Sequence, residues 1–356
     1  MTQHVWLRAE SKPMEERTAL TPEFAKKLIE HGFQLTVERC GQRSVPVSEY
    51  EALGCEIADS HSWKTLAPAD AIILGLKELE TNDEILRHRH IHFAHVYKNQ
   101  SGWEDVLKRF KTGGGTLYDL EFLVDENGRR VAAFGYWAGY AGAALAALTW
   151  ARQKSGQSPA LPPQTSRANK DVLVDEIKAA ISEAGSTPKL MVIGAMGRSG
   201  RGAVELGRAV GAEVVEWDLA ETKKGGPFQE ILDCDIFLNC VFIQSAIPPF
   251  VTKEMLNSPD RKLGVICDVS CDPYGDYNPL PIYDKCTTFD DPTLRLVAGE
   301  NPVDLISIDH LPSLLPVESS EDFCDQLMPH LIQLDNLEQG VWKRAHDLFV
   351  EKTNLV

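Results

Sequence analysis

The sequence of 356 residues has no uninterrupted apolar run long enough to span a membrane. Its most apolar stretch, residues 138–150, is shorter than the roughly 20 residues that a membrane-spanning helix needs, and it predicts a buried helix instead. Positive charge is also scarce, since 36 Lys and Arg stand against 52 Asp and Glu, a net charge of -16. Such a protein repels nucleic acid and anionic membranes, so we expect neither as a partner. An anionic ligand would need a local positive site.

The sequence also lacks closely spaced pairs of cysteines. The chain has eight cysteines but no C-x-x-C spacing, which argues against a zinc ribbon or a redox motif. The first ten residues lack the apolar core of a secretory signal, and the last four carry no peroxisomal or retention tripeptide. We therefore expect a cytoplasmic protein with reduced thiols.

Short apolar runs alternate with helical patterns along the chain, which predicts α/β domains with parallel sheets. At this length, with 43% hydrophobic residues, two domains are expected. Residues 155–169, rich in Pro, Ser and Gln, predict a loop or hinge and not a core element. The predicted strands are residues 4–7, 33–37, 71–74, 91–96, 116–118, 130–133, 189–193, 213–217, 236–240 and 263–268. The predicted helices are residues 21–31, 137–154, 202–210 and 333–351.

A glycine-rich turn follows the predicted strand at residues 189–193. Gly194, Gly197 and Gly200 form a G-x-x-G-x-x-G pattern that opens a helix, where backbone amides can approach a pyrophosphate. The spacing departs from the commoner G-x-G-x-x-G, and a tight structural turn is the alternative. A second cluster, Gly135 to Gly142, begins an Ala-rich helix and is more typical of close helix packing.

Asp218 ends the next predicted strand, close to the spacing of the acid that binds the adenosine ribose in dinucleotide sites. A carboxylate there favours NAD over NADP, because it would repel a 2′-phosphate. Lys223 and Lys224 follow closely, and they are either a solvated loop or a place for that phosphate.

Two cations stand beyond predicted strands, at the sheet edge where α/β proteins bind ligands. Arg17 follows the first strand and either grips a carboxylate through its two-pronged guanidinium or is a plain surface arginine. Lys77 follows the strand at residues 71–74. Partial desolvation or nearby cations would let it act as a base, and a simple cationic anchor is the alternative.

Four histidines crowd residues 88–95. In a strand, His88, His90 and His92 would share one face, which makes a metal triad conceivable. The arginines between them oppose a divalent ion, so we predict no metal. His95 stands apart near the strand end and is the better acid–base candidate.

Seven separated motifs resemble, in order and over nearly the whole chain, the NAD-dependent, L-lysine-forming saccharopine dehydrogenases of fungal lysine biosynthesis. They are Glu16-Arg17-Thr-Ala-Leu-Thr-Pro, Leu74-Gly-Leu-Lys77-Glu78, Phe93-Ala-His95-Val-Tyr-Lys98, Gly135-Tyr-Trp-Ala-Gly, Gly197-Arg198-Ser-Gly, Trp217-Asp218 with Gly225-Gly-Pro-Phe, and Ile308-Asp309-His310-Leu311-Pro312. The resemblance implies two Rossmann-like α/β domains with parallel sheets and an active-site cleft between them. Residues 1–133 with about 316–356 would form the substrate and catalytic domain, and residues 134–315 the dinucleotide-binding domain.

The implied reaction converts saccharopine, NAD and water into L-lysine, 2-oxoglutarate and NADH, by hydride transfer and then imine hydrolysis. The partners would be these small molecules, and the protein would act as a monomer. In this resemblance Lys77 takes the amine proton, His95 serves imine hydrolysis, and Glu78 and Glu121 tune their pKa values. Substrate contacts are implied at Lys12, Arg17, Lys98, Gln100, Arg130, Phe134, Ser270, Cys271 and Asp272. Nucleotide contacts are expected at Arg129, Gly194, Gly197, Arg198, Ser199, Gly200, Asp218, Thr222, Phe242, Val269, Ile308, Asp309, His310 and Leu311.

The chain departs from some relatives at Ser199, where they carry a cysteine able to pair with the counterpart of Cys240. That disulfide is excluded here. An alanine dehydrogenase or transhydrogenase-like enzyme is the nearest alternative, because the motif around Arg17 occurs in that wider group. The many cations suit a tricarboxylate better than alanine. A catalytically silent nucleotide-binding protein is the alternative of another class, and intact Lys77 and His95 speak against it.

Overall fold

The computed structural model describes residues 3–98, 100–243 and 245–356. The chain divides into two compact units: the first comprises Met1–Ala133 with Pro316–Val356, and the second comprises Phe134–Leu315. Each unit contains a sheet of short apolar strands covered by helices. Within the described residues, no helix combines the length and the apolar character needed to cross a membrane.

The first unit is built on a sheet in which six strands, all within the described residues, run parallel in the order β3-β2-β1-β4-β5-β6. The strands are β1 (His4–Leu7), β2 (Gln34–Glu38), β3 (Glu56–Ala58), β4 (Ile72–Leu74), β5 (Arg89–His92) and β6 (Thr116–Asp119). Val5 of β1 is in register with Leu35 on one side and Ile72 on the other. The strand order therefore reverses at β1, and ligand sites of α/β proteins lie at the carboxyl ends of the strands beside such a point.

Helices from both ends of the chain cover this sheet. They are α1 (Pro22–Glu30), α2 (Val47–Ala52), α3 (Trp63–Leu66), α4 (Trp103–Gly113), and, returning from the second unit, α9 (Pro316–Leu331) and α10 (Gly340–Thr353). Thr18 donates its backbone N–H to Ser320 Oγ at 2.9 Å, which ties the start of the chain to α9. Helix α1 begins at Pro22 and ends before Gly32, whose φ of 88° suits glycine, as the sequence predicted.

The second unit is built on a sheet ordered β11-β12-β10-β9-β7-β8, parallel except for the pair β11 and β12. Its strands are β7 (Lys189–Ile193), β8 (Glu213–Trp217), β9 (Ile236–Asn239), β10 (Val265–Asp268), β11 (Leu294–Val297) and β12 (Val303–Ile306). Alternate residues of β7 enter different cores: Leu190 and Val192 lie in one, Met191 and Ile193 in the other. The sheet is therefore buried on both faces, which explains why its strands are continuous apolar runs.

Close helix packing dominates one face of the second sheet. Its helices are α5 (Gly135–Lys154), α6 (Lys170–Ala184), α7 (Arg198–Ala209) and α8 (Leu219–Thr222). A Cβ at Gly139 of α5 would stand 1.7 Å from the carbonyl oxygen of Ser199, and one at Gly202 of α7 would stand 2.0 Å from that of Tyr136. Each helix thus needs a glycine where the other's backbone passes, and the packing role predicted for the glycines of α5 is confirmed.

Several predicted elements differ from the structure. Residues 130–133 form no strand, because Arg130 makes only an isolated bridge to Val124 across a tight turn. The closing helix at 333–351 begins only at Gly340, and α9, which precedes it, was missed. Strand β5 spans Arg89–His92 and not residues 91–96, and His95 beyond it takes a left-handed φ of 55°. Helix α7 begins at Arg198, ahead of the predicted start at Gly202.

Candidate active site

The backbone around Lys77 is fixed at the carboxyl end of β4 by two buried side chains. Glu10 accepts the backbone N–H groups of Leu76 at 2.7 Å and Lys77 at 2.9 Å. Arg8 pairs with Glu10 at 3.3 Å and donates to the carbonyl oxygen of Lys77. Its guanidinium fills the space where a Cβ at Gly75 would stand, 2.2 Å from Nε. The strand therefore delivers Lys77 in a defined direction.

The environment of the Lys77 side chain disfavours its ammonium form. Partial burial lowers the pKa of Lys77, and the positive charges of Arg17 and Lys12 lower it further, while Glu15 and Glu78 oppose them. Together these effects hold the pKa of Lys77 below the ordinary value for a lysine. This is the condition stated from the sequence for a lysine that gives up its proton to act as a base.

Arg17 is buried, with only 3% of its surface exposed, so the surface-arginine alternative is wrong. Its Nε and one terminal nitrogen donate to Glu15 at 2.8 and 2.6 Å, a two-pronged pair with a carboxylate of its own loop. Although burial alone would raise the pKa of Glu15, the contact with Arg17 holds it below its usual range. Glu15 therefore remains charged and orients the guanidinium.

His95 lies between two carboxylates. Its Nε2 is 3.7 Å from Glu78 Oε1, and its Nδ1 is 3.4 Å from Glu121 Oε2. The imidazole is 38% exposed, so it can be reached from solvent while both acids stand beside it. Glu78 also lies 3.4 Å from Lys12. The sequence-predicted pair of acids is thus brought to His95, one near each nitrogen of its ring.

Glu121 is the most heavily paired acid of this group. Its Oε1 lies 2.6 Å from Lys98 Nζ and 3.3 Å from a terminal nitrogen of Arg130. Pairing with His95, then with Lys98, lowers the pKa of Glu121 to about 2 against the opposing effect of burial. The Gln100 side chain accepts the backbone N–H of Lys98 at 2.8 Å and shapes the turn that carries it.

Asp119, the last residue of β6, holds Glu121 in place and was not predicted. Its Oδ1 accepts the backbone N–H of Glu121 at 2.9 Å, and its Oδ2 has no hydrogen-bond partner among the described residues. Burial is the main cause that raises the pKa of Asp119 to about 6. An acid that ends a strand beside a candidate residue is the sequence signal that could have identified it.

The other histidines of the cluster belong to the core. His90 and His92 are 0% and 1% exposed, and their rings contact each other at 5.9 Å. His90 also packs edge-on against Trp63 and Phe110. Burial lowers the pKa of both histidines well below the ordinary value, so they are neutral aromatic side chains. The shared face was predicted correctly, and its role is packing.

In the second unit, the glycine-rich turn joins β7 to α7. Gly194 has a φ of 88°, and a Cβ at Gly200 would stand 2.0 Å from the Gly194 carbonyl oxygen. Gly197 occupies the N-cap position of α7 and offers no side-chain cap to the first amides of the helix. The turn therefore presents backbone N–H groups at a helix N-terminus, which suits a pyrophosphate.

Asp218 follows β8 beside this turn. Its two carboxylate oxygens accept the backbone N–H groups of Met196 at 3.0 Å and Leu219 at 2.9 Å. Each oxygen keeps a further lone pair for a ribose hydroxyl. Of the two lysines that follow Asp218, Lys223 lines the neighbouring cavity. Lys224 pairs with Glu230.

A cavity of about 720 Å³ opens beside Asp218 and the glycine turn, within the second unit. Its lining combines glycine backbone with apolar side chains, including Ile193, Val241 and Phe242. Phe242 is 63% exposed and Met196 75% exposed, which leaves aromatic and thioether surface for a flat apolar group. Among the predicted nucleotide residues, the cavity brings together Gly194, Gly197, Asp218, Thr222 and Phe242.

Other predicted nucleotide residues lie elsewhere. Ile308 and Leu311 are each 1% exposed within the core, so their side chains do not reach a ligand, and only their backbones could. Val269 packs towards Gly142 of α5, and His310 stands edge-on to Phe289. The remaining ones are Arg198 and Ser199 in the first turn of α7, Gly200 behind the glycine turn, exposed Asp309, and Arg129, which lies in a turn of the first unit.

The remaining predicted substrate residues belong to the second unit. Phe134 is the N-cap residue of α5. Ser270, Cys271 and Asp272 follow β10, where the Ser270 hydroxyl donates to Asp268 at 2.6 Å. Cys271 adopts a left-handed φ of 50°, which makes a sharp turn of this segment.

Two curated proteins resemble the chain over almost its full length. The saccharopine dehydrogenase [NAD(+), L-lysine-forming] of Emericella nidulans is 51% identical over 98% of this chain and 96% of its own. The protein of the same name from Schizosaccharomyces pombe is 50% identical over 97% of each. The chain belongs to the saccharopine dehydrogenase [NAD(+), L-lysine-forming] family. The resemblance found in the seven motifs is thereby confirmed.

The fold of this saccharopine dehydrogenase family member also occurs in other proteins of known structure. Residues 6–141 match the family described as alanine dehydrogenase/PNT, N-terminal domain. A transhydrogenase from Sinorhizobium meliloti covers 96% of this chain and 97% of its own, with a TM-score of 0.65 and 19% identity. The expected architecture of Rossmann-like units with parallel sheets is confirmed.

The saccharopine dehydrogenase motifs omit several residues that build the site. Arg8, Glu10 and Glu15 hold Lys77 and Arg17, and Asp119 holds Glu121. Their signal in the sequence is weak, because each is a charged residue at a strand end or in a loop, where exposed side chains are the rule. Only the fold shows that they are buried.

Proposed function

We propose that the chain oxidises saccharopine with NAD and water to L-lysine, 2-oxoglutarate and NADH. The observation that carries the proposal is 51% identity, over nearly the whole chain, to a protein named for this activity. Incubation with saccharopine and NAD is expected to give equal amounts of NADH, L-lysine and 2-oxoglutarate. Formation of NADH without L-lysine would overturn the proposal.

Lys77 is proposed as the base that accepts the proton of the secondary amine. Bound NAD would supply the acceptor for a hydride from the carbon on the glutamate side of that amine, and loss of the proton and the hydride would convert the amine into an imine. The lowered pKa of Lys77 supports the assignment, because a neutral amine is needed to take a proton near neutral pH. Exchange of Lys77 for Met should depress turnover while NADH binding, followed by fluorescence, is retained.

His95 is proposed as the acid–base group of imine hydrolysis. Water adds to the imine carbon, and the resulting carbinolamine breaks down when the nitrogen of lysine is protonated and the hydroxyl proton is removed. An imidazole exposed to solvent and flanked by Glu78 and Glu121 can deliver and accept these protons. His95→Gln should therefore also slow turnover, and unchanged turnover would remove His95 from the mechanism.

The cations of the first unit are proposed to bind the carboxylates of the substrate. Lys12, Arg17, Lys98 and Arg130 all lie in the same unit as Lys77 and His95. Gln100 would assist through the turn at Lys98. The family resemblance assigns further substrate contacts to Phe134 and to Ser270, Cys271 and Asp272, and we retain these as proposals.

The cofactor site is proposed at the glycine turn and the cavity beside Asp218. The helix N-terminus would hold the pyrophosphate, Asp218 the adenosine ribose, and the apolar lining the adenine. We propose further nucleotide contacts at Arg129, Arg198, Ser199, Val269 and residues 308–311.

Since every proposed residue lies on one chain, the reaction needs no second copy, and we propose a cytoplasmic monomer. Light scattering of the purified protein tests the assembly.

A further inference from the structure

We propose that Cys271 and Cys286 form a dithiol site that low-molecular-weight disulfides, such as glutathione disulfide, oxidise reversibly to an intramolecular disulfide. The two Sγ atoms lie 3.3 Å apart in the second unit. Both residues are free thiols and half-buried, so a small oxidant has access to them. A disulfide requires about 2.05 Å between the sulfurs, so bond formation must draw the two atoms closer together.

The segment that carries Cys271 is held by a buried carboxylate. Asp268, 0% exposed at the end of β10, accepts the backbone N–H of Ser270 at 3.1 Å and its hydroxyl at 2.6 Å. Asn239 donates to the same oxygen at 2.9 Å. The residue directly before Cys271 is therefore fixed.

The segment that carries Cys286 is held by the same network. Tyr283 donates its hydroxyl to the other oxygen of Asp268 at 2.6 Å. Thr287, directly after Cys286, exchanges two hydrogen bonds with Ser307 at 2.8 and 2.9 Å. Both thiols are thus anchored on either side of one buried carboxylate, and their proximity follows from the fold.

The order of the two thiols follows from their surroundings. Burial raises the pKa of Cys271, so this thiol is protonated at neutral pH and reacts second. The thiolate of Cys286 attacks one sulfur of glutathione disulfide, which forms a mixed disulfide and releases one glutathione. Cys271 then loses its proton and attacks the sulfur of Cys286, which releases the second glutathione. Two protein thiols are oxidised, one small disulfide is reduced, and the two protons end on the two glutathiones.

A consequence for activity rests on the proposed function. Cys271 lies between Ser270 and Asp272, in the segment proposed to contact the substrate, and a bond to Cys286 would fix this segment in a new position. Oxidation should therefore slow saccharopine turnover, and reduction with dithiothreitol should restore it.

The test uses the full chain treated with glutathione disulfide, quenched with an alkylating agent and analysed by peptide mass spectrometry. We expect loss of two alkylatable thiols and a crosslinked peptide containing Cys271 and Cys286, both reversed by dithiothreitol. Cys286→Ser should abolish the crosslink, whereas Cys55→Ser, which removes a half-buried thiol of the first unit, should keep it. Glutathione bound to either cysteine without the crosslink, or a crosslink between other cysteines, overturns the proposal.

Saccharopine turnover is measured separately from the crosslink. Untreated Cys286→Ser is expected to turn over saccharopine as the wild type does and to resist the oxidant. If the crosslink forms and turnover is unchanged, the link to the substrate segment is wrong while the dithiol site stands. If untreated wild-type protein does not turn over saccharopine, the proposed function fails, and the mass measurement still decides on the dithiol.

Discussion

The Nδ1 atom of His95 lies 3.4 Å from Glu121 Oε2, and the other oxygen of Glu121 lies 2.6 Å from Lys98 Nζ. Because the pKa of Glu121 is about 2, this carboxylate carries its charge at every pH at which the protein would work. It therefore places a constant negative charge beside Nδ1 of the ring and orients the ring.

Replacing Glu121 by Gln removes that charge while the shape is kept. The ring then loses the charged partner at Nδ1 that orients it, and the orientation of an acid–base group limits its proton transfer. We expect kcat to fall about tenfold, less than the roughly 100-fold loss expected when an acid–base group itself is removed. Glu126→Gln, an exposed glutamate of the same unit, is the control. A kcat equal to that of the wild type would contradict the role of Glu121.

Lys12→Met tests the electrostatic control of Lys77. Lys12 is 47% exposed, so its removal should leave the fold intact. The variant loses one cation near Lys77 and frees Glu78, and both changes raise the pKa of Lys77. The rising limb of kcat/KM for saccharopine should move to higher pH, with a loss of up to about fivefold at neutral pH, as for a weak exposed charge pair. Lys26→Met, at a similarly exposed lysine of α1, should show no displacement of the limb.

Asp119→Asn should stabilise the protein at alkaline pH. The folded-state pKa of Asp119 is raised from 3.8 to about 6, so its contribution to stability is greatest below pH 3.8 and is lost as the pH rises through about 6. A shift of about two units corresponds to at most about 3 kcal/mol. The asparagine is neutral, and its oxygen can still accept the N–H of Glu121.

Denaturant unfolding at pH 8 and pH 4 measures this difference. We expect the variant to be more stable than the wild type at pH 8, and the two to be nearly equal at pH 4. Asp105→Asn, at a position that is 82% exposed, is the control and should change neither value. Equal stability of wild type and Asp119→Asn at pH 8 would show that Asp119 is not a strained buried acid.

Asp218→Asn tests the choice of cofactor. The carboxylate of Asp218 should repel a 2′-phosphate. The neutral variant should therefore use NADPH more efficiently, relative to NADH, than the wild type does. We expect the ratio of the two kcat/KM values to change by roughly tenfold, equivalent to about 1.4 kcal/mol. Asp233→Asn, an exposed position of the same unit, should leave the ratio unchanged. Equal use of both cofactors by the wild type would rule out the role given to Asp218.

Periodicity and spacing were sufficient for the parts of the fold that depend on local pattern. The strand–turn–helix from Lys189 onward and the packing glycines of α5 follow from apolar runs and small residues. The break at His95 was missed because a left-handed backbone at a histidine has no sequence signature. Helix α9 was missed because its burial depends on the first unit, over a separation of about 300 residues from Thr18.

The candidate site shows the same division. The motifs predicted Lys77, His95, Glu78 and Glu121 as site residues, and the structure brings His95 to both acids. The acids that hold the site could not be foreseen. Glu10, Glu15 and Asp119 act through backbone N–H groups or through a buried arginine, and such contacts exist only once distant strands stand side by side.

The central claim is the reaction itself, and NADH oxidation in the reverse direction tests it most directly. We predict that purified protein consumes NADH only when L-lysine and 2-oxoglutarate are both present, and that omission of either stops the reaction. Consumption of NADH with pyruvate and ammonia, but not with that pair, would contradict the account.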